Sequence, residues 1–295
     1  MKSGRTYGIL FAKSTLLAVI VVFIAGLWVT GSVVTAVSKN DARDAAPHLT
    51  THHAERSVPL SGNGTIVLDG VAGDVKVAAW KKPEVHIRVD DTLAIRSSRR
   101  FWSWAGKHGA LNSSDAVQAY LKSAEIKVGT DEQCVTISAK QPCRRSGAVL
   151  TSRYEISVPS HAHVVIHAKQ GSIVCTGVLG SVKAETGQGE ISLRDVHGRL
   201  CARTSAGSIT VRQNEGWGNG DSLVCTSLDG PIRIALPESS AFTLHVASLT
   251  GEFSSDFPIT LDTPMGDTSF SAKVGAGGPR VAIDTLDGPV SLTRL

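Results

Sequence analysis

Broken at every ninth position, residues 171–215 read GSIVCTGVL GSVKAETGQ GEISLRDVH GRLCARTSA GSITVRQNE. Gly171, Gly180, Gly189, Gly198 and Gly207 open the five units, and Gly216 follows at the same interval. Two residues after each opening glycine stand Ile173, Val182, Ile191, Leu200 and Ile209; two further on come Cys175, Ala184, Leu193, Ala202 and Val211. Apolar side chains at alternate positions make a short strand with one buried face, and glycine lets the preceding corner take positive φ. Such a unit cannot bury its face alone, so repeats at a fixed period must stack. The fold class expected is all-β, a β-solenoid or β-helix of short strands with Gly corners.

The corners carry the same message. Glu185-Thr186-Gly187-Gln188-Gly189-Glu190-Ile191 matches Arg203-Thr204-Ser205-Ala206-Gly207-Ser208-Ile209. Cys175-Thr176 ahead of Gly180 and Val182 matches Cys225-Thr226 ahead of Gly230 and Ile232, and Asp284 to Val290 restates the pattern. Calcium-binding β-rolls also have nine-residue repeats, but they need Asp at a fixed offset. Asp195 and Asp229 stand alone here and Glu190 has no counterpart in neighbouring units, so calcium is not expected by that route.

Upstream, Thr65–Leu68, Val75–Ala78, Val85–Val89, Glu125–Val128, Cys134–Ala139 and Tyr154–Val158 are further strand-like alternations. They are interrupted at 93–123, where Asn112-Ser113-Ser114-Asp115 ahead of residues 116–122 resembles a capped short helix. Ahead of all this, Ser14 to Val37 holds no charged residue. As a helix these 24 residues would span about 36 Å, enough for a hydrocarbon core of ~30 Å. A single N-terminal transmembrane helix is therefore expected at 14–37, after a cytoplasmic tail at 1–13. Val34-Thr35-Ala36 leaves a signal-peptide reading open, and either reading exports the remainder. Residues 38–57 read as a polar linker, with His48, His52 and His53 solvated in it, and 58–295 as the solenoid domain. The expected location is the cell membrane, single-pass, with the C-terminal domain extracytoplasmic, in the periplasm or at the cell surface.

Charge excludes one class of partner. The chain has 30 Lys+Arg against 26 Asp+Glu, and without Lys2, Arg5 and Lys13 the balance is 27 against 26. A body so nearly neutral lacks the clustered basic footprint of a nucleic-acid binder. Catalytic signatures are missing too: the sequence has no G-x-S-x-G, H-E-x-x-H, P-loop or C-x-x-C. Glu185, Glu190, Asp195, Glu215, Asp221 and Asp229 fall mostly at differing offsets and read as turn residues rather than acids gathered for glycan cleavage. His161, His163 and His167 share a parity that would put them on one strand face, but without a fourth ligand they read as exposed, so no metal or other cofactor is expected. Five cysteines in an exported chain predict at least one disulfide: Cys134 and Cys143 lie close enough to bridge, whereas Cys175 and Cys225 can be small ladder residues.

The chain resembles a bacterial domain-of-unknown-function family of adhesin-like proteins, related to the head domain of autotransporter adhesins. The resemblance rests on Gly73-Asp74-Val75-Lys76-Val77 leading to Trp80, on Tyr154-Glu155-Ile156-Ser157-Val158-Pro159, on the Gly-x-Ile/Val repeats, on Ser255-Asp256-Phe257-Pro258 and on Thr285-Leu286-Asp287-Gly288. It implies a single-chain β-solenoid at the cell envelope, without catalytic residues. The function expected is non-enzymatic: a surface presented to an envelope polymer, lipid or protein partner. Envelope-stress sensing is the alternative, and a polysaccharide-cleaving β-helix enzyme the third. Binding is expected at Arg96, Arg99, Arg100, Phe101, Trp102, Trp104 and Lys107, where cations and aromatics alternate. A terminal strand without a polar cap, Val290 to Leu295, further suggests a homo-oligomer formed by end-to-end stacking.

Overall fold

A computed structural model describes residues 19–24, 27–32, 48–95, 125–131, 133–140, 148–262 and 268–295. Every regular element among them is a strand. Twenty-one strands build two sheets that share one core. The eleven-stranded sheet runs β20 (Ile259–Leu261), β21 (Ser269–Val274), β18 (Phe242–Ser248), β22 (Arg280–Asp287), β16 (Ser222–Asp229), β14 (Arg199–Ala206) and β12 (Val182–Gln188). It continues through β10 (His163–Gln170), β4 (Thr65–Ala72), β8 (Cys134–Lys140) and β7 (Glu125–Asp131). The ten-stranded sheet runs β19 (Phe253–Ser255), β23 (Val290–Arg294), β17 (Ile232–Leu236), β15 (Ile209–Arg212), β13 (Ile191–Arg194) and β11 (Ile173–Thr176). Beyond these lie β5 (Asp74–Trp80), β9 (Ala148–Pro159), β6 (Glu84–Ile95) and β3 (His48–Pro59).

Each nine-residue unit is one strand, and successive units go to opposite sheets. One coil is therefore two units: Val182 lies beside Leu200 in one sheet and Ile191 beside Ile209 in the other, eighteen residues apart in both cases. Their side chains point inward and are at most 2% exposed. The glycines at the corners let coils approach at backbone distance. Gly207 has φ +145°, and a Cβ there would stand 2.1 Å from the carbonyl oxygen of Gly189. The match between Cys175 and Cys225 is out of phase by half a coil, since Cys175 is in β11 and Cys225 in β16. A five-residue lengthening between β15 and β16 shifts the register to Leu200 beside Leu223. Between β17 and β22 the chain leaves the coil path to make the hairpin-like pair β18 and β21.

Of four expectations, the first, the N-terminal helix, is not confirmed and the other three change. Val19–Ile24 and Leu27–Ser32 form an antiparallel pair, β1 and β2, and no described helix is long and apolar enough to cross a membrane. The run Val19-Ile20-Val21-Val22-Phe23-Ile24 is rich in β-branched residues, which favour a pleated strand. The C-terminal half of the linker at 38–57 is strand: β3 pairs with β6 from His48 beside Ile95 to Pro59 beside Glu84. An edge strand needs little apolar alternation, which is why its sequence reads as linker. Third, Cys134, Cys175, Cys201 and Cys225 are free thiols. Cys175 and Cys225 are instead core ladder residues, and burial pushes the Cys175 thiol up to about 12 and Cys225 higher still. Cys143 lies outside the described residues. Fourth, the terminal strand β23 is not an edge: it lies between β17 and β19, so the exposed strand invoked for end-to-end stacking is already covered.

Candidate functional site

The seven residues expected to bind, Arg96, Arg99, Arg100, Phe101, Trp102, Trp104 and Lys107, lie outside the described residues, as does the helix expected near 112–122. They follow directly on β6, which runs to Ile95, two residues beyond the expected start of the interruption.

The other candidates are occupied by the fold itself. His163 and His167 point outward from β10 to different neighbours: His163 Nδ1 lies 2.8 Å from Ser181 Oγ, and His167 Nδ1 lies 2.8 Å from Glu185. His161 precedes the strand. On β3 and β6, His53 pairs with Asp90, and His86 lies 2.9 Å from Glu55 and 3.0 Å from Ser57 Oγ. Glu185 is a charge bridge, not a turn acid: it also lies 3.1 Å from Lys183 and 3.7 Å from Arg203. Partial burial works to raise its carboxyl, but Lys183 and His167 outweigh that and hold it below its usual range. Asp195 accepts from Asn214 at 2.8 and 2.9 Å, and Asp221 accepts from the backbone of Gly198 and Gly218. Each therefore works as a corner staple.

A buried acid was not foreseen. Asp91 stands in the inward row of β6 with Val85, Ile87, Val89 and Leu93, and is 5% exposed. Burial raises its carboxyl above the usual range, against a hydrogen bond from Ser152 and the nearby His52. The same desolvation, reinforced by Asp91, lifts Tyr154 to about 12. The interruption of an apolar alternation was the available signal.

Among the described residues, unfilled binding capacity gathers at the corner after β16, β22 and β18. In the regular coils this corner is closed by a hydroxyl ladder. Thr186 donates to the Gly171 carbonyl at 3.3 Å, Thr204 to Gly189 at 3.2 Å and Ser227 to Gly207 at 3.4 Å. Thr285 is next in register beside Ser227, and it is 7% exposed, yet its hydroxyl has no hydrogen-bond partner. An unpaired buried hydroxyl costs about 1–3 kcal/mol.

The residue after each hydroxyl changes at the same place. It is Gly187 and Ser205 in the regular coils, then Leu228 and Leu286, with Leu249 after Ser248 on the neighbouring β18. These three leucines are 51%, 50% and 59% exposed. The amides of Leu249 and Thr250 donate to the carbonyls of Thr285 and Leu286, locking the corners together. Leu249 and Leu286 border an open groove of about 430 Å³ whose remaining wall includes Thr285, Ser248, His245, Asp284 and Ser269. His245 Nδ1 lies 3.0 Å from Ser271 Oγ there. The same cross-strand Ser–His contact recurs at Ser181–His163 and Ser57–His86, so it is a sheet-surface pairing rather than an activated nucleophile. The groove can thus take an amphipathic group, with apolar surface on Leu249 and Leu286 and polar groups at His245, Asp284 and Ser269, over the buried Thr285 hydroxyl. Its sequence signal was the triple Ser/Thr-Leu-x-Gly at Ser227, Ser248 and Thr285.

Several solved structures are similar to this chain. One is a candidate cell adhesion protein from Clostridium sporogenes, 12% identical, with 83% of this chain and 100% of that one covered and a TM-score of 0.48. Another is a candidate adhesin from Bacteroides fragilis, at 11% identity, 81% and 96% coverage and a TM-score of 0.39. A third is a candidate lipid-binding protein from Parabacteroides distasonis, at 9% identity, 82% and 96% coverage and a TM-score of 0.27. No match was found among curated proteins. The family model for Toastrack DUF4097 matches residues 64–293, from the start of β4 to the end of β23, and the chain belongs to that family, the adhesin-like domain-of-unknown-function group that its glycine repeats resemble.

Proposed function

We propose that this chain is a non-enzymatic binding module of the cell envelope. Its solenoid stands outside the membrane, held there by residues 14–37, and presents the corner groove to an envelope polymer, lipid or protein partner. The observation that carries the reading is the leucine ladder Leu228–Leu286–Leu249 around a buried hydroxyl without a partner. Exposed apolar side chains that neighbour one another mark interaction surfaces, whereas scattered ones do not. The anchor is supported by the uncharged run alone: in hydrocarbon a helix satisfies its own backbone, which a two-stranded pair with open edges does not. The aromatic and basic stretch Arg96 to Lys107 is a second contact surface in this proposal, suited to the membrane interface beside such an anchor.

The test is capture from fractionated envelope (polymer, lipid and protein pools) by the full chain in detergent. Leu228→Ser, Leu249→Ser and Leu286→Ser together are expected to abolish capture while leaving the melting temperature within a degree or two. Capture that survives the triple change, or is abolished only with unfolding, refutes the groove. Extraction of the chain from membranes by alkaline carbonate would refute the anchor.

A further inference from the structure

The outer face of the ten-stranded sheet carries a second feature, remote in kind from the leucine corner. Its strands β13, β15 and β17 point Arg194, Arg212 and Arg233 to solvent, and all three are exposed. Arg194 and Arg212 occupy the same register position on neighbouring parallel strands, so their Cα atoms lie about one strand spacing (~4.8 Å) apart. Arg233 lies on the next strand, beside Thr210, and so is roughly 7–8 Å diagonally from Arg212. Among the described residues no ion pair involves any of the three. Across β11, β13, β15, β17 and β23 the outward rows to which they belong hold Val174, Thr176, Thr210 and Ser291, with Ser192 buried among them, but no acid. The adjoining corner acid, Asp195, is taken up by Asn214.

Like charges set directly opposite on neighbouring strands destabilise a sheet. The N-terminal half of this sheet avoids the problem by interleaving acids, so the arginine pair is an exception within the sheet; in the other sheet Asp229 beside Asp287 is a like-charge pair of the opposite sign. Guanidinium groups are planar forks that bind oxyanions through two parallel hydrogen bonds. Three forks on a flat, rigid face, spaced by the strands themselves, match a ligand whose oxyanions also recur along a line. A compact single anion would meet only one or two of them.

We infer that this face binds a linear acidic polysaccharide, with its carboxylates on Arg194, Arg212 and Arg233 and its hydroxyls on Thr210 and Ser291. The rest of the face favours a glycan over a single-stranded nucleic acid. Binding to single strands draws on aromatic platforms for the bases, and no outward position of β11, β13, β15, β17 or β23 is aromatic. The surface is separate from the corner groove, so the inference stands or falls independently of it.

The experiment uses the full chain in non-ionic detergent, titrated with polygalacturonate at low and high salt. Binding at low salt that weakens as salt is raised is expected. Arg194→Gln, Arg212→Gln and Arg233→Gln together are expected to reduce affinity at least about tenfold, equivalent to about 1.4 kcal/mol, with melting unchanged or raised. The control is Arg199→Gln with Arg280→Gln, which removes two exposed cations from the other sheet and is expected to leave binding intact. Absence of binding at low salt overturns the inference. So does an equal loss in the control, which would show only a general attraction to charge. Tighter binding to an oligothymidylate or to anionic phospholipid vesicles than to polygalacturonate would overturn it as well.

Discussion

The two halves of the ten-stranded sheet treat charge in opposite ways. Toward its N-terminal edge the outward row runs Lys76, Glu155, Arg88, Glu55, in register across β5, β9, β6 and β3. Each cation there has an acid on the adjoining strand, and Arg153 stands likewise between Asp74 and Asp90. Toward the C-terminal edge the same row continues through Val174, Ser192, Thr210 and Arg233 without an acid, and the adjoining outward row holds Arg194 and Arg212 side by side. Alternation stabilises strand pairing and leaves little field at the surface. Its absence weakens pairing and leaves a field for a ligand. The inside reverses the contrast, because the N-terminal half buries the acid Asp91 whereas the described residues of the regular coils bury polar groups such as Gln213 but no charged one. One half is electrostatically quiet outside and strained within; the other is the converse.

The largest effect would come from separating the coils that set the arginines together. Gly207→Ala places a Cβ 2.1 Å from the Gly189 carbonyl oxygen at a φ of +145°. Strain of about 1–3 kcal/mol plus a clash that only backbone movement relieves predicts a loss of more than ~3 kcal/mol. Denaturant unfolding measures it, and a loss under ~1 kcal/mol would mean that coil spacing is not set at this corner.

Next in size is the buried carboxyl. Asp91 has a raised folded-state pKa, so it opposes folding as the pH rises through the unfolded-state value and beyond. Asp91→Asn keeps the hydrogen bond to Ser152 and removes the charge, so it is expected to stabilise the chain by about 1–2 kcal/mol at pH 7. The gain should shrink as the pH is lowered into the carboxylate range, where the native acid is already protonated. A gain that is independent of pH would assign the effect to something other than the charge.

These features were legible to different depths. The nine-residue beat is visible because every strand in residues 171–215 obeys the same small-corner rule, whichever sheet it joins. That uniformity also hid the eighteen-residue coil, since Ile191 and Val182 look alike in sequence but lie in different sheets. Without the true coil length, Arg194 and Arg212 are merely two arginines; with it, they are neighbours. The strand His48–Pro59 escaped because an edge strand buries few side chains, and the excursion through β18 and β21 because it interrupts the period. The leucine corner was legible, but only by aligning Ser227-Leu228, Thr285-Leu286 and Ser248-Leu249 against Thr186-Gly187 and Thr204-Ser205.

At the corner the regular and C-terminal coils differ by one hydrogen bond. Thr204→Val removes the donor to the Gly189 carbonyl and is expected to cost about 1 kcal/mol. Thr285→Val removes a hydroxyl that bonds nothing, so it should be neutral or slightly stabilising in the free protein. Equal costs for the two changes, measured by thermal unfolding, would show that Thr285 is satisfied after all and that the hydroxyl ladder is not broken at this corner.

The smallest effects test the charge contrast itself, by giving each half the other's pattern. Arg194→Glu puts an acid beside Arg212 and creates in the C-terminal half the alternation already present in the N-terminal half. An opposite-charge cross-strand pair in place of a like-charge one is expected to add about 0.2–1 kcal/mol. Glu155→Gln does the reverse: it takes the acid from between Lys76 and Arg88, leaves two cations facing a neutral residue, and should lose a similar few tenths. Both shifts should fade as salt is raised, because all these side chains are open to solvent. The signs matter more than the sizes. If Arg194→Glu destabilises, the arginine pair is satisfied in the free protein and is not a surface waiting for an anion. If it stabilises while abolishing the affinity for polygalacturonate, then the C-terminal half gives up stability at the positions where it binds.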